Sequence, residues 1–455
     1  MISTRRLLPA AAAALLLAFG AALPVAAQGP VLTLPEALAR AEGGSYANRI
    51  AAGERQAAEG RSDGALRGIL PTARVEGGYI RTTEPLNAFG FQLRQRSLTQ
   101  ASFDPDRLNF PAAIGNVNTG LVLELPLVNA DAWAGRAAGE RAAGALDASE
   151  EWTRTRTRLD ILRAYYGAVL AAEQVRTLDT ALRAAESHVR QAESAVRNGL
   201  ATPSDALLAR VKAGEVEAQL LSARQEAALA KRQLALAMGT PESIDFSLPD
   251  ALPGAAVARQ VAAVPVADSA ARADVRAASL GVQAADADVR RTRYLYLPRV
   301  NAFGRLDWND PTTPFGGKEA WTAGVMVSWS PFAGASEIAE HRAAEGRAAV
   351  ARAQAEAAAA QAQVERARTI GDLELALARL DIAERAVVQA RDAHRIVSRK
   401  YEGGLATVTE LFDAAAVERA TRLGHAQARY QVITAAAARR QAHGLDPAGS
   451  APVGG

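Results

Sequence analysis

The sequence has no cysteine among its 455 residues. This excludes disulfide bonds, cysteine-based metal sites and thiol nucleophiles, and also the acylated cysteine of a lipoprotein. Aromatic residues are scarce at 5%, although large aromatic side chains usually dominate a globular core. A chain poor in aromatics and rich in alanine favours long, closely packed helices over a compact globule.

Long apolar runs are also missing, apart from one at the amino terminus. Residues 1–27 predict a signal peptide: Arg5 and Arg6 form its basic start, alanines and leucines follow, and residues 25–27 (Val-Ala-Ala) supply the small side chains of a cleavage site. After this segment no run of about 18 apolar residues occurs, so no transmembrane helix is predicted. Membrane attachment would have to come from β-strands.

The charges do not indicate a nucleic-acid or catalytic surface. Lys and Arg number 52 against 49 Asp and Glu, interleaved along helical stretches, which is typical of a solvated helix face and not of a nucleic-acid-binding patch. No phosphate-binding glycine loop, nucleophile elbow or paired-carboxylate motif stands out, so we expect neither an enzyme nor a cofactor. The histidines lack metal-ligand spacing, so no metal site is expected; they are His188, His341, His394, His425 and His443.

The sequence contains an internal duplication. Gly-Leu-Ala-Thr at residues 199–202 recurs at residues 404–407, an offset of 205 positions. Further upstream the offset is 227, since Leu-Pro at 70–71 matches Leu-Pro at 297–298. Self-similarity at a fixed offset is the signature of a repeated structural unit. We therefore expect the same order of helices and strands twice.

The two halves differ in one loop and are joined by a proline-rich segment. The difference between the two offsets lies within residues 83–119, which we expect to form a longer loop than its counterpart. Four prolines mark the joining segment. The predicted organisation is a signal peptide (1–27), a first repeat (28–240), a linker (241–268), a second repeat (269–446) and a flexible tail (447–455).

Each half has one very long helix followed by a shorter one. Residues 131–197 and 335–402 run without proline and place Ala, Leu and Val at the spacing of a coiled-coil seam, which His394 interrupts. At 1.5 Å per residue each would extend about 100 Å. The shorter helices, 203–238 and 269–293, sum to a similar length, so we expect them to stack end to end as a second column. Such elements form the wall of a tube.

Two strand pairs interrupt the helical pattern. Residues 300–308 and 321–329 alternate apolar side chains with polar or small ones, and tryptophans mark the ends of the apolar face. Residues 73–79 and 121–125 alternate similarly in the first half. The pattern is typical of strands with one face to lipid and the other to a polar lumen. The alternative is an ordinary sheet with one face on a core.

Four strands are too few to close a barrel. In a bilayer an open sheet edge leaves backbone groups without hydrogen bonds, so further copies of the chain must complete the sheet. Two copies would give eight strands with a filled interior, and three would give twelve strands and a usable lumen. The rival interpretations are an exported coiled-coil stalk or adhesin without a pore, and an adaptor with a helical hairpin, which would lack the duplicated hairpins.

The order of these motifs resembles the TolC-type outer-membrane efflux proteins, also called outer-membrane factors. The resemblance rests on the duplicated turns at 198–205 and 401–413, on the Leu-Pro strand starts and on the proline-ended strands at 125–126 and 330–331, and it extends over residues 32–446. It implies an α+β membrane protein: a homotrimer with a twelve-stranded outer-membrane β-barrel, four strands per chain, continued into the periplasm by a long α-helical coiled-coil barrel.

The resemblance also implies a function. Members of the family are passive ducts of tripartite efflux or type I secretion systems, which receive substrate from an inner-membrane pump through a periplasmic adaptor. The expected partners are therefore the sister copies, the adaptor, the pump and outer-membrane lipid, with no nucleic acid. The expected location is the bacterial outer membrane, with the helices extending into the periplasm.

The helix-hairpin turns are the candidate functional site, because in the family they form the narrow periplasmic tip. By position from the turn glycine, the resemblance implies a pore constriction at Asp205, Tyr401, Glu410 and Asp413. It also implies adaptor docking at six residues of the turns: Asn198, Gly199, Leu200, Gly403, Gly404 and Leu405. Ala406 stands where some members carry an arginine that ties the closed tip together, so this chain departs from that pattern.

These residues also have a plain structural interpretation. Acids in the first turn of a helix complement its dipole, and glycines commonly end helices. In a symmetric assembly the same acids would form stacked rings of like charge, which attract cations and raise one another's pKa. Both roles stay open for Asp205, while the i, i+3 spacing of Glu410 and Asp413 favours the constriction.

Overall fold

The computed structural model describes residues 31–242, 245–266 and 272–450. The predicted signal peptide and residues 451–455 of the predicted tail lie outside the described residues. The α-helices are Leu34–Gly44 (α1), Tyr46–Gly64 (α2), Pro85–Arg94 (α3), Pro105–Asn109 (α4), Ala130–Arg197 (α5), Pro203–Ala237 (α6), Ala255–Ala263 (α7), Ala273–Tyr294 (α8), Ser336–Glu402 (α9) and Val408–Ala442 (α10). The β-strands are Thr72–Thr82 (β1), Ile114–Val128 (β2), Arg299–Asp310 (β3) and Lys318–Ser328 (β4).

Two very long helices dominate the fold, as the sequence predicts. Helices α5 and α9 have 68 and 67 residues, which corresponds to about 100 Å each. A short turn joins each of them to a helix of 35 residues, α6 or α10. None of the described helices has both the length and the apolar character needed to cross a membrane.

The shorter helices form second columns, but in a different pairing from the predicted one. Gly239, after the end of α6, packs against Gly44 so closely that a side chain would not fit, and α2 starts two residues after Gly44. In the other half, Arg366 of α9 binds the carbonyl of Ala442 at the end of α10, while its neighbour Glu365 binds Arg272 at the start of α8. Thus α6 continues into α2 and α10 into α8. The predicted stacking of 203–238 on 269–293 is wrong, because each half supplies its own column.

The two halves repeat the same elements at the offsets found in the sequence. Arg197 and Glu402, which end α5 and α9, are 205 positions apart, and Thr72 and Arg299, which begin β1 and β3, are 227 apart. Helices α2 and α6 pack along α5, α10 packs along α9, and α8 packs along both α5 and α9. The long helix with its column thus occurs twice, and α8 and α10 also join the second column to α5.

The four strands form one antiparallel sheet in the order β1-β2-β3-β4. Its register places Val75, Leu121, Leu306 and Trp321 in one row across all four strands. This apolar face is exposed in the described chain, since Val75 and Trp321 are 65% and 77% exposed. Within the described residues β1 pairs only with β2, and β4 only with β3. The sheet therefore has an uncovered apolar face and two open edges.

The opposite face of the sheet is mostly polar or small. Arg305 pairs with Asp307 at 2.8 Å, and the Asn116 amide donates to Asn309 Oδ1 at 2.9 Å. The alternation of the two faces matches the sequence-based prediction. The predicted loop over 83–119 is partly wrong, because it contains α3 and α4 and its last residues belong to β2. Glycines and asparagines in that part of β2 obscure the alternation on which the prediction relied.

A buried ion pair fixes the linker between the repeats onto the helices. The Arg429 guanidinium of α10 contacts the Glu173 carboxylate of α5 and donates to the carbonyl of Leu252 at 3.0 Å. Glu173 in turn accepts from the backbone N–H of Leu252 at 2.9 Å. The linker backbone is thus held from both sides. The largest apolar cluster lies around this level and includes Ile161 and Val432.

Candidate functional site at the helix-hairpin turns

Both long helices end in the same glycine turn. Leu200 N–H donates to the carbonyl of Ala195 at 2.8 Å, and Leu405 N–H donates to that of Lys400 at 2.8 Å. The residues before them, Gly199 and Gly404, both have φ +72°. This is the Schellman arrangement, in which a left-handed residue lets the chain turn while the last carbonyls keep hydrogen bonds. The two turns are therefore equivalent in structure as well as in sequence.

Both following helices start with a capping box. Thr202 N–H donates to Asp205 Oδ2 at 2.9 Å, and Thr407 N–H donates to Glu410 Oε2 at 2.7 Å. Glu410 N–H donates back to Thr407 Oγ1 at 3.2 Å. Reciprocal bonds of this kind satisfy backbone groups that a helix start leaves free. Asp205 and Glu410 thus have the structural role of capping a helix. The sequence had allowed this role as well as a role in the pore constriction.

The caps make both carboxylates stronger acids within one chain. The backbone N–H of Thr202 lowers the pKa of Asp205, and that of Thr407 lowers the pKa of Glu410, helped by the charge of Lys400. A lowered pKa means that the ionised carboxylate stabilises the fold. This contribution is present above the ordinary pKa and is lost as the pH falls through the lowered one.

Tyr401 joins the two hairpins. Its ring packs on an apolar cluster that includes Ala192 of α5, Ala209 of α6, and Val408 and Phe412 of α10. Burial raises the pKa of the Tyr401 hydroxyl, and the Asp205 charge raises it further. The two turns therefore lie side by side at one end of the molecule, with Tyr401 close to the start of α6.

Glu410 and Asp413 lie on the outside of this arrangement. Both are exposed, three residues apart on one face of the first turns of α10. The fold thus brings Asp205 towards Tyr401 and keeps Glu410 with Asp413 as a separate acidic pair. Neither carboxylate is buried within the chain, so both can interact with ions or with another molecule.

The family follows from comparison with known proteins. The model of the outer membrane efflux protein family matches residues 49–240 and 268–445 of this chain. This chain belongs to that family. The matched ranges leave out most of the linker and agree with a duplicated architecture. No curated protein sequence matches significantly.

Solved structures share the fold of this efflux-family protein over nearly its whole length. VceC from Vibrio cholerae has a TM-score of 0.74 at 20% identity, covering 90% of this chain and 96% of its own. The CmeC outer membrane channel of Campylobacter jejuni has 0.74 at 14% identity, covering 91% and 86%. The open-state MtrE outer membrane channel of Neisseria gonorrhoeae has 0.71 at 16% identity, covering 91% and 89%.

The turns of this efflux-family protein expose the residues that the resemblance assigned to adaptor docking. The side chains of Leu200 and Leu405 are each 82% exposed. The other four residues of the six, Asn198, Gly199, Gly403 and Gly404, are exposed as well. An exposed leucine among glycines offers an apolar contact with little steric hindrance around it.

Sequence reasoning missed a cluster of imidazoles above the turns. The rings of His188 on α5 and His394 on α9 lie 6.0 Å apart, and His394 Nδ1 lies 2.5 Å from Glu418 Oε2 on α10. Together they line a cavity of about 250 Å³, and burial lowers the pKa of His188. The signal was His394, the polar interruption of the apolar seam. In the described part of the chain no three His, Asp or Glu residues are arranged to hold a metal ion.

Replacing Gly404 by alanine is expected to loosen the second turn. A side chain at φ +72° costs about 1 kcal/mol. The amide hydrogen of Leu405, which bonds to the carbonyl of Lys400, should therefore exchange with solvent about fivefold faster. Hydrogen–deuterium exchange followed by mass spectrometry measures this rate. The matched control is Gly403→Ala, because Gly403 has φ −84° and space for a Cβ. Equal exchange in the two variants would contradict the left-handed requirement.

Proposed function

We propose that this protein is the outer-membrane duct of a tripartite efflux or type I secretion system. Three copies join their sheets into a twelve-stranded barrel, and their long helices continue as a tunnel through the periplasm. The duct is passive: an inner-membrane pump supplies the substrate and a periplasmic adaptor connects the two. The turn residues of the six hairpins receive the adaptor.

The sheet is the observation that carries this proposal. Its apolar face is exposed in the single chain, and in the part of the chain that the structure describes its two outer strands each pair on one edge only. In lipid an apolar face is favourable, whereas unpaired backbone groups are costly, so the edges must pair with further copies. Three copies give the smallest closed sheet with a lumen that side chains do not fill. The polar face, with Arg305 and Asp307, then lines that lumen.

The tip supplies the narrow end of the duct in this proposal. Three-fold symmetry makes one ring from each of Glu410 and Asp413, and both carboxylates are exposed. Tyr401 packs between the two hairpins, and Asp205 lies close enough for its charge to act on the Tyr401 hydroxyl. Rings of carboxylates at a narrow point select cations. We therefore assign the pore constriction to these four residues.

The purified mature protein is expected to run as a trimer that resists SDS until heated, and to conduct ions across planar bilayers. Val325→Arg should reduce the yield of trimer, because arginine on the lipid face of a barrel costs about 2 to 4 kcal/mol. Thr322→Arg is the matched control, since it lies on the polar face of the same strand. A monomer that is recovered soluble from the periplasm would contradict the duct and favour a stalk.

A further inference from the structure

The two hairpins of one chain meet above the turns through a small set of rings. His188 lies on α5 of the first hairpin, whereas His394 and Phe412 lie on α9 and α10 of the second. The His188 ring is 6.0 Å from that of His394 and 5.9 Å from that of Phe412, each in an edge-to-face arrangement. These three residues, with Glu418 of α10, are called the hairpin joint below. A change in the joint is therefore placed to move one turn relative to the other.

The hydrogen bonds of the joint place one proton on each imidazole. His394 Nδ1 lies 2.5 Å from Glu418 Oε2, and an ionised carboxylate can only accept, so Nδ1 is the donor. His188 Nδ1 lies 3.1 Å from Gln191 Oε1, which also accepts. The other nitrogen of His394, Nε2, is buried and has no hydrogen-bond partner within the described chain. A second proton on that ring would be a buried donor without an acceptor, which is costly.

The surroundings of His188 favour its neutral form. The ring faces a cavity of about 250 Å³ whose walls include the Phe412 ring and several alanines. In the described structure α6 contributes only Val216 to these walls, and no charge. The charged groups around His188 come from α9 and α10: Glu402, Glu418, Arg419 and Arg422. Glu418, the one carboxylate that lines the cavity in the described chain, is already paired with His394 and Arg422. A charge on His188 would therefore have no carboxylate of its own.

The direction of the pKa shift agrees with this geometry. Burial has the largest effect on the pKa of His188 and lowers it; the bond to Gln191 and the charge of Glu402 raise it, and the charge of His394 lowers it. The net shift is downward from the ordinary value of 6.5. A lowered pKa means that the packed joint holds the neutral ring more firmly than the protonated one. The joint therefore has its full stability above about pH 6.5 and loses it as the pH falls towards the lowered pKa.

We propose that the hairpin joint is a pH-sensitive lock on the periplasmic tip: acidification protonates His188, the two hairpins separate, and the constriction widens. The effect on the pore rests on the proposed duct. Protonation leaves three cationic side chains around one cavity, since Arg419 and Arg422 line it as well. Separation lets water reach the charged ring and relieves the repulsion. Because Tyr401 packs between the same two hairpins, their separation also moves Tyr401 relative to Asp205.

The separation is measured as a distance between the two turns. The chain has no cysteine, so Leu200→Cys with Leu405→Cys supplies two thiols for nitroxide labels, at side chains that are each 82% exposed. Pulsed EPR on the purified protein, with labelled chains diluted by unlabelled ones, gives the populations at about pH 7.5 and about pH 5.5. We expect the ratio of separated to closed hairpins to rise about tenfold on acidification, which corresponds to an uptake of about half a proton over this range.

A neutral replacement identifies His188 as the group that takes the proton. His188→Gln keeps a polar side chain but does not titrate, so it should lose most of the pH-dependent change. His341→Gln is the matched control, because His341 also lies on a long helix and bonds to Thr292 of α8, away from the turns, and it should behave like the parent. A purely structural role for His188 would change the distance equally at both pH values. The same increase in His188→Gln, or no increase in the parent, would overturn the lock.

The effect on the pore is measured by planar-bilayer recordings over the same pH range. Conductance of the parent should rise on acidification by more than that of His188→Gln. Glu410 and Asp413 are present in both proteins, so the difference between them reports His188 and not the carboxylate rings. A pH-dependent distance without this difference in conductance would overturn the lock, since the joint would not control the constriction. A protein that shows the pH-dependent distance but forms neither trimer nor channel would contradict the proposed function and leave the joint supported.

Discussion

Neutralising Glu410 and Asp413 together, as Glu410→Gln with Asp413→Asn, is expected to raise the single-channel conductance and to relieve block by divalent cations. Two charges per copy at a narrow point bind cations strongly, and each loss of about 1.4 kcal/mol weakens binding tenfold. We expect the half-blocking concentration of Mg²⁺ to rise by about tenfold or more. Planar-bilayer recordings on the trimer measure both quantities.

The choice of glutamine separates the charge of Glu410 from its role in the fold. The residue accepts from the backbone N–H of Thr407, and glutamine serves in a capping box as glutamate does. The turn should therefore keep its structure while the ring loses its charge. Glu226→Gln, which neutralises an exposed acid on α6 away from the turns, is the control. Unchanged conductance and unchanged block in the double variant would remove Glu410 and Asp413 from the constriction.

Replacing Arg429 by alanine is expected to release the linker between the repeats. The substitution leaves the Glu173 carboxylate without its ionic partner and the Leu252 carbonyl without its donor. Both side chains of the pair are largely buried, at 10% and 18% exposure. Removing one partner of such a pair costs about 3 kcal/mol, which corresponds to a population of open linker about a hundredfold larger. Trypsin cleavage at Arg259 should accelerate accordingly.

The duplication provides the control for this variant. Arg224 occupies the equivalent position in the first repeat, 205 residues earlier, but it is 55% exposed and lies 3.5 Å from Asp179. Exposed pairs of this kind contribute less than about 1 kcal/mol. Arg224→Ala should leave linker cleavage unchanged. Equal cleavage in the two variants would mean that the ion pair does not hold the linker.

Periodic features of the fold were predictable from the sequence, and contacts between distant segments were not. The proline-free runs and their apolar spacing located α5 and α9, and the alternation of β3 and β4 gave the two faces of the sheet. The repeated Gly-Leu-Ala-Thr located both turns. Each of these signals is local, because it follows from the repeat distance of a helix, a strand or a turn.

The features that sequence reasoning missed depend on which surfaces meet. The stacking of α6 on α2 depends on the close approach of Gly239 and Gly44. This contact leaves no periodic pattern in the sequence. The Arg429–Glu173 pair joins residues that are 256 positions apart, and His188 of α5 meets His394 of α9. Arginines and glutamates are so frequent in these helices that the sequence does not distinguish a buried pair from solvated ones.

The two turns share some residues and differ in others. Asp205 and Glu410 are equivalent positions, and both cap a helix, so duplication preserved an acid there for the architecture. Asp413 corresponds to Leu208, and Tyr401 corresponds to Val196. Here the copies diverged: the first repeat has aliphatic side chains, whereas the second has a carboxylate and a phenol. In the proposed trimer the six hairpins would therefore alternate: those of the second repeat add a carboxylate and a phenol at positions where those of the first repeat carry aliphatic side chains.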